Sequence, residues 1–456
     1  MAGTTAIHDF VEKLSQSAVV DDVLRYAIGA SSKRSVVSAF FGAKPVSQGP
    51  LSINLDLTVA CNHACPHCID ESILNSGARF PFSEVVASLT TLRIVGLRSV
   101  ILIGGGEPTL YPEFEQVVQV AAALGLRVGI VSNGSRLDQL AAAAQYLGPG
   151  DWIRFSLDAG SNEVFQRTHR PRKPITLEAI CAGPRAIKNV NPKVSCGFSF
   201  VVIAPDVLRF DPRLTANYHE IAVAASLAKR FDFDYISFKP FLVRDSEGKE
   251  VLPFLLPTGA EGIKRPSDHT LSSKQEFVSI EPFVPHGVKR KETPPVHSAA
   301  SRSGNEGLTN ESVSRIREGL EEARTYGDER FQVIPSLNLL ALFDPQSLAA
   351  ARNQPRRCHM QSLRQVLTPN GIYGCPAYRG DERSLIAARD GYLNMAKYRE
   401  TAALTGAQID RFDAATECRN ITCLYSGTNW WLEHLGADGP ALKSFGHADD
   451  GIPIFL

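Results

Sequence analysis

From residue 51 onward, short apolar runs alternate with longer segments whose apolar residues recur at helical spacing. The runs are six predicted strands, at 51–58, 98–104, 127–132, 152–157, 194–203 and 234–240. Helix-length segments lie between them, at 82–96, 112–124, 136–147, 161–189 and 215–230. Strands that alternate with helices must be returned by crossover connections, so the pattern predicts a parallel sheet in an α/β fold.

The pattern changes on either side of this core. A helix is predicted over 7–28, and residues 1–50 are interpreted as an N-terminal helical cap. Residues 244–310 are rich in Pro, Ser, Gly, Lys and Glu, which favours a flexible insertion over a folded subdomain. A helix over 311–326, an apolar run over 331–342 and a hairpin turning at 369–371 follow. The predicted domains are therefore 1–50, the core 51–243, the insertion 244–310 and a C-terminal domain 311–456.

Charge and hydropathy exclude some classes of partner. The chain has 48 Lys and Arg against 48 Asp and Glu, so no basic excess favours nucleic acid or an anionic membrane. It lacks a signal-peptide pattern and any apolar run of about 18 residues, which predicts a cytoplasmic protein without a membrane span. Thiols stay reduced in that compartment, so clustered cysteines indicate metal ligands rather than disulfides.

Three cysteines follow the first predicted strand at CxxxCxxC spacing: Cys61, Cys65 and Cys68. With His63 or His67 they would suit zinc, whereas a [4Fe-4S] cluster held by three thiolates keeps one iron open for a co-substrate. The segments GGGEP, SNG and SLDA follow the second, third and fourth strands. Ligands collect at the C-terminal ends of parallel strands, so we expect all four segments to meet on one face.

The cysteine triplet, followed by Gly105, Gly106, Glu107 and Pro108 after the second strand, resembles the radical S-adenosylmethionine (SAM) superfamily over residues 51–240. The resemblance implies a partial (β/α)6 TIM-like barrel and a catalytic [4Fe-4S] cluster on the three cysteines. It also implies SAM at the open iron, and a 5′-deoxyadenosyl radical that abstracts a hydrogen atom from the substrate.

The same resemblance assigns cofactor contacts. Gly105, Gly106 and Glu107 would receive the methionine amine, and Arg167 would pair with the methionine carboxylate. Polar strand ends would contact methionine or ribose, although they also suit ordinary helix caps: Ser132, Asn133, Ser156 and Asp158. His67 occupies a position where the family usually has an aromatic residue against the adenine, and an imidazole can still stack.

A second group of cysteines lies in the last hundred residues: Cys358, Cys375, Cys418 and Cys423. The group resembles the Twitch auxiliary-cluster domain and half of the larger SPASM domain. The resemblance implies a small C-terminal iron-sulfur domain with a second, auxiliary [4Fe-4S] cluster, while zinc on four cysteines is the competing interpretation. Cys181 and Cys196 are predicted to be buried and inert.

The substrate is less constrained. The spacing of the second group resembles a Twitch enzyme that oxidises an aminocyclitol, which implies a small polar metabolite undergoing dehydrogenation, diol dehydration or epimerisation. Lys239, at the end of the sixth strand, and Tyr218 are the predicted catalytic residues, and flavodoxin or ferredoxin the expected electron donor. The alternatives are a ribosomal-peptide maturase, which crosslinks or epimerises its peptide, and a non-catalytic zinc-binding scaffold.

Overall fold

A ten-stranded sheet organises the protein. The computed structural model describes residues 10–30, 49–244, 250–252, 310–438 and 454–456. The sheet runs in the order β12-β11-β10-β1-β2-β3-β4-β5-β6-β9. Its strands are β1 Ser52–Leu55, β2 Ser99–Leu102, β3 Arg127–Ser132, β4 Trp152–Ser156, β5 Ser195–Val202, β6 Tyr235–Pro240, β9 Gln332–Pro335, β10 Arg364–Thr368, β11 Gly371–Tyr373 and β12 Leu385–Ala387. A separate pair, β7 Val243–Arg244 and β8 Glu250–Val251, is antiparallel.

All six predicted strands are confirmed, and they pair in parallel in sequence order. The predicted partial (β/α)6 barrel is thus present, with one more parallel strand on each side: β9 beside β6 and β10 beside β1. The sheet is open, since β9 and β12 end the hydrogen-bonded order. The hairpin predicted around 369–371 is confirmed as β10 and β11.

Helices connect the strands. Along the chain they are α1 Phe10–Leu14, α2 Val20–Ala30, α3 Phe82–Ile94, α4 Phe114–Ala123, α5 Leu137–Ala144, α6 Asn162–His169, α7 Leu177–Cys181, α8 Gly183–Val190, α9 Ile221–Arg230, α10 Asn310–Arg324, α11 Leu337–Leu340, α12 Pro345–Arg352, α13 Met360–Leu363, α14 Met395–Arg411, α15 Ala414–Glu417 and α16 Ser426–Asp438. No described helix is both long and apolar enough to cross a membrane.

The prediction of a single helix over 7–28 is wrong, because residues 15–19 are not helical. Two helices, α1 and α2, replace it, and the hydroxyl of Ser15 bonds back to the carbonyl of Val11 where α1 ends. Such local bonds compete with helix propagation. Both helices pack against α16, through Phe10 and Val23 on one side and Leu432 on the other.

The main core lies between the sheet and its helices. Alternate strand residues such as Val100, Ile153 and Phe198 are fully buried beneath the helices, and Cys181 and Cys196 belong to this core. The opposite face of the strands is free to line a cavity. The predicted insertion 244–310 falls mostly at 245–249 and 253–309, outside the described residues, and the domain boundaries stay predictions.

Candidate active site

A cavity of about 910 Å³ lies inside the partial barrel. Its wall contains the residues that follow β1 to β4, as expected from the sequence, and it extends down to Trp152 and Tyr235 at the other ends of β4 and β6. Both groups of cysteines line it: Cys61, Cys65, Cys68, Cys358, Cys375, Cys418 and Cys423. The fold therefore brings two distant parts of the chain to one chamber.

The cysteine loop packs backbone against backbone on the GGGEP segment. The amide of Glu107 donates to the carbonyl of Ala60 at 2.8 Å, directly before Cys61. A Cβ on Gly106 would overlap that same carbonyl oxygen and the backbone of Thr58 and Val59. Only a glycine fits at position 106, so the close packing of the cysteine loop on the GGGEP segment depends on that glycine.

The donor set of the first cysteine group suits a cluster better than a single zinc ion. Among the described residues, the ligand atoms that lie within 4.8 Å of one another form two sets, and neither contains two cysteines. A tetrahedral zinc with Zn–S bonds of about 2.3 Å would hold its sulfur atoms about 4 Å apart. Burial raises the pKa of Cys65, and that of Cys68 to about 12, so a bound metal charge is needed to keep these thiolates.

The second cysteine group converges in an apolar setting. Burial raises the pKa of Cys418, and the nearby thiols of Cys358, Cys375 and Cys423 raise it further. The apolar residues packed around the group include Phe412. The four thiols lie close enough for their charges to interact, and four thiolates are enough to complete the ligands of one cluster. By the same spacing criterion, no three of these described sulfurs lie within 4.8 Å of one another, so the set suits an auxiliary cluster better than a single zinc ion.

Glu107 organises the end of β3. Its Oε1 accepts from the hydroxyls of Ser132 at 2.7 Å and Thr109 at 2.6 Å and from the amide of Thr109 at 3.1 Å. Its Oε2 accepts from the amide of Asn133 at 2.7 Å. Burial raises the pKa of Glu107, and these donors oppose that shift. Four bonds fix the carboxylate within the cavity wall, and Oε2 keeps capacity for another donor.

Three histidines and Asp158 surround Cys65. Asp158 Oδ2 lies 3.0 Å from His67 Nε2 and 3.2 Å from His169 Nε2, and His169 Nδ1 lies 3.4 Å from Cys65 Sγ. The two histidines hold the pKa of the Asp158 carboxyl well below its usual range, although burial opposes them. Asp158 Oδ1 also accepts from the amide of Val201 at 2.7 Å. Asp158 thereby links the cysteine loop to β5.

A buried guanidinium joins the cysteine loop to the C-terminal region. Arg379 lies between Asp56 and Asp70, with Nη1 2.9 Å from Asp56 Oδ2 and Nη2 bonded to Asp70. Asp70 also accepts from the amide of Gly105 at 3.3 Å. Burial raises the pKa of Asp56 to about 7, and the Arg379 cation opposes this shift.

Some of the remaining predicted site residues line the cavity, and others lie outside it. Lys239, Ser156 and the backbone of Gly105 line the cavity. Arg167 is exposed on α6 and pairs with Glu163 at 2.6 Å, and neither it nor Tyr218 is among the lining residues. Burial and the Arg154 cation lower the pKa of Lys239 to about 7, while Asp158 opposes them.

Sequence reasoning missed several residues of this site: Asp56, Asp70, Arg154, His169 and Arg379. Asp56 and Arg154 could have been predicted from the sequence, because each is a charged residue within a predicted buried strand. His169 and Arg379 carried none, since their positions depend on contacts between distant segments.

Comparison with known proteins gives a consistent result. The sequence profile of the Radical SAM superfamily matches residues 55–207. An S-adenosylmethionine-dependent nucleotide dehydratase of a Thermoplasmatales archaeon is 37% identical over 108 residues, or 24% of this chain and 38% of that protein. The mycofactocin maturase MftC of Mycobacterium tuberculosis is 27% identical over 186 residues, or 39% of this chain and 42% of that protein. The matched segments thus span about two fifths of these relatives.

Among solved structures, Streptococcus suis SuiB bound to its precursor peptide SuiA is similar with a TM-score of 0.49 and 13% identity. The alignment covers 82% of this chain and 67% of that one.

Proposed function

We propose that this protein, whose residues 55–207 match the Radical SAM superfamily, is a radical SAM enzyme that abstracts a hydrogen atom from a small polar substrate held inside the barrel. The observation that carries the proposal is the convergence of both cysteine groups, the GGGEP segment and Lys239 on one cavity. When bound, a [4Fe-4S] cluster, SAM and an auxiliary cluster would supply one-electron chemistry. Flavodoxin or ferredoxin is the proposed electron donor, in the cytoplasm.

The residues that would hold these groups follow from the geometry. Cys61, Cys65 and Cys68 would ligate the catalytic cluster beside the glycine backbone of 104–106. Glu107 fixes Ser132 and Asn133 at the end of β3, and Ser156 lines the cavity from β4. These donors surround the space next to the cysteine loop, where the methionine and ribose of SAM would lie.

Lys239 is placed to move a proton at the substrate. It pairs in register with Val201, whose amide donates to Asp158, and the Asp158 charge acts on the Lys239 amine, which lines the cavity. Its lowered pKa leaves part of the population neutral near pH 7, and a neutral amine accepts protons. Loss of a hydrogen atom, an electron and a hydroxyl proton converts a secondary alcohol into a ketone. SAM and an auxiliary cluster, when bound, would supply the acceptors of the hydrogen atom and of the electron, and Lys239 would take the proton.

Peptide maturation is the second candidate function. The similarity to a mycofactocin maturase over 39% of this chain supports it. A peptide substrate would enter the same cavity, and the residues at the cysteine loop would keep their roles.

The decisive experiment is cleavage of SAM by the anaerobically reconstituted protein. Reduced wild-type protein should release 5′-deoxyadenosine, and Cys65→Ala should abolish the release. Cys181→Ala is the matched control, because Cys181 is buried in the core away from the cavity. Zinc without iron in wild-type protein, or cleavage that persists in Cys65→Ala, would refute the proposal.

The second cysteine group is tested by iron content. Cys375→Ala should lower bound iron by about half if each group holds one four-iron cluster. Unchanged iron would exclude an auxiliary cluster. Deuterium transfer from candidate substrates into 5′-deoxyadenosine then identifies the substrate and its reacting carbon, and separates a metabolite from a peptide.

A further inference from the structure

Arg154 is a half-buried cation that forms no ion pair with a described carboxylate. It lies on the inward face of β4 and lines the cavity, two residues before Ser156. Across the described chain no carboxylate forms an ion pair with it, and its Nε, shielded from solvent, has no hydrogen-bond partner. The guanidinium makes a cation–π contact with Trp152, with its central carbon 5.1 Å from the ring centre. A shielded N–H group without a hydrogen-bond partner costs free energy unless a ligand or a water molecule accepts from it.

A phenol faces the same space. Arg154 pairs in register with Gly197, and Gly197 with Tyr235. A Cβ on Gly197 would collide with the ring and hydroxyl of Tyr235, so the missing side chain lets Tyr235 lie across β5 toward β4. The Arg154 cation lowers the pKa of Tyr235 against the larger effect of burial, which raises it. The Tyr235 ring thus covers Gly197, and Arg154 and Tyr235 line the same cavity from neighbouring register positions.

The carboxylates at the cysteine end of the cavity are engaged elsewhere. Asp158 is held by two histidines, Glu107 by donors from β3, and Asp70 by Arg379. Asp234, whose charge raises the pKa of Tyr235, is paired with Lys188 at 2.7 Å. Arg154 therefore presents a charge to the cavity that no described carboxylate pairs with. It lies about 6–7 Å deeper than Ser156 along β4, at about 3.3 Å per strand residue.

We propose that Arg154 and Tyr235 bind an anionic group of the substrate, a phosphate or a carboxylate. This inference rests on the proposed function and specifies its substrate class: a molecule with the reacting C–H bond near the cysteine loop and a negative charge deeper in the barrel. A guanidinium fork and a hydroxyl suit the planar or tetrahedral oxygens of either anion.

The test uses the cluster-loaded full chain with SAM under anaerobic conditions. Inorganic phosphate and labelled acetate are titrated as probes, and binding is followed by the broadening of their phosphorus and carbon NMR lines. At least one probe should bind. In Arg154→Gln its Kd should rise about tenfold or more, as expected for loss of charged hydrogen bonds. Arg154→Lys should give an intermediate Kd, and Gly197→Ala should weaken binding by displacing Tyr235.

Arg136→Gln is the matched control, because Arg136 is exposed and pairs with Asp138. It should bind both probes as wild type does. Iron content and the thermal unfolding midpoint establish that each variant is folded. Preference for phosphate assigns a phosphate ester, and preference for acetate assigns a carboxylate.

The inference is overturned if neither probe binds wild type, or if Arg154→Gln and Arg136→Gln bind equally well. Its failure is distinguishable from failure of the proposed function. Wild-type protein that cleaves SAM without binding either anion retains the function and loses the anchor. Wild-type protein that binds an anion through Arg154 but cleaves no SAM retains the anchor alone.

Discussion

Arg379 Nη1 lies 2.9 Å from Asp56 Oδ2, although 323 positions separate the two residues in the chain. Asp56 follows the strand that leads into the first cysteine group, and Arg379 comes four residues after Cys375 of the second. Since Arg379 also bonds Asp70, two residues after Cys68, one guanidinium positions both cysteine groups. A substitution that breaks this contact should displace residues of both cysteine groups.

Arg379→Met should therefore destabilise the protein by about 3 kcal/mol, because it leaves Asp56 buried without a cation. Denaturant unfolding of the anaerobic protein, followed by circular dichroism, measures the loss. Arg136→Met should cost less than about 1 kcal/mol, since it breaks an exposed pair with Asp138. Equal losses in the two variants would contradict a structural role for the buried contact.

His169 should tune the reduction potential of the catalytic cluster. Its Nδ1 lies 3.4 Å from Cys65 Sγ and its Nε2 3.2 Å from Asp158 Oδ2. A ring that carries a proton on Nδ1 donates to the ligand sulfur, and hydrogen bonds to ligand sulfurs raise the potential of iron-sulfur clusters. His169→Phe should lower the midpoint potential in a redox titration followed by electron paramagnetic resonance. His434→Phe is the control, because His434 is exposed and stacks on Trp430. A shift of the same size in both would exclude a specific bond.

Gly106→Ala should displace the cysteine loop, because the added methyl group would overlap the carbonyl of Ala60. We expect lower iron content after reconstitution and a loss of several kcal/mol in unfolding free energy, as for overpacking of a close contact. Gly406→Ala, within α14, meets no atom within 4 Å and should stabilise the protein by about 0.5–1 kcal/mol. Full iron loading in Gly106→Ala would show that the two segments adapt.

Lys239 should give stability a pH dependence of known sign. Well below pH 7 the amine is protonated in both the folded and the unfolded chain, so its contribution to stability does not change with pH. Between about pH 7 and 10.5 the unfolded chain binds the proton and the folded chain does not, so stability rises with pH. Urea unfolding at pH 7 to 9 should show this slope in wild type, at up to about 1 kcal/mol per pH unit.

Lys239→Met should lose that slope and gain most in stability at the low end of the range, where wild type buries a charge. An unchanged slope in the variant would mean that another group titrates there. Lys193→Met, on the exposed surface, serves as the control.

The strands and the position of the motifs were predictable because both depend on local sequence. Apolar runs are short and strongly patterned here, and each motif directly follows one of them, so parallel pairing alone brings Cys61, Glu107 and Ser132 together. The pairing of β10 with β1 was not predictable, since a five-residue run carries no information about its neighbour in a sheet.

Helix orientation explains the remaining differences. The resemblance assigned the methionine carboxylate to Arg167, yet this residue and Glu163 occupy one outward face of α6 at i,i+4 spacing. Two residues later on the same helix, His169 is buried beside Cys65. A shift of two positions turns a helical side chain by about 200°, and sequence alone does not set that phase for a short polar helix.

The pairing of β10 with β1 also limits how the protein can be divided. A fragment ending at residue 207 would leave β1 without its neighbour on one side and β5 without β6 on the other. Both exposed edges would consist of strands that are buried in the whole chain, which favours aggregation. We therefore expect that the segment which carries the superfamily signature does not fold on its own, and truncation studies should retain both β6 and the hairpin at 364–373.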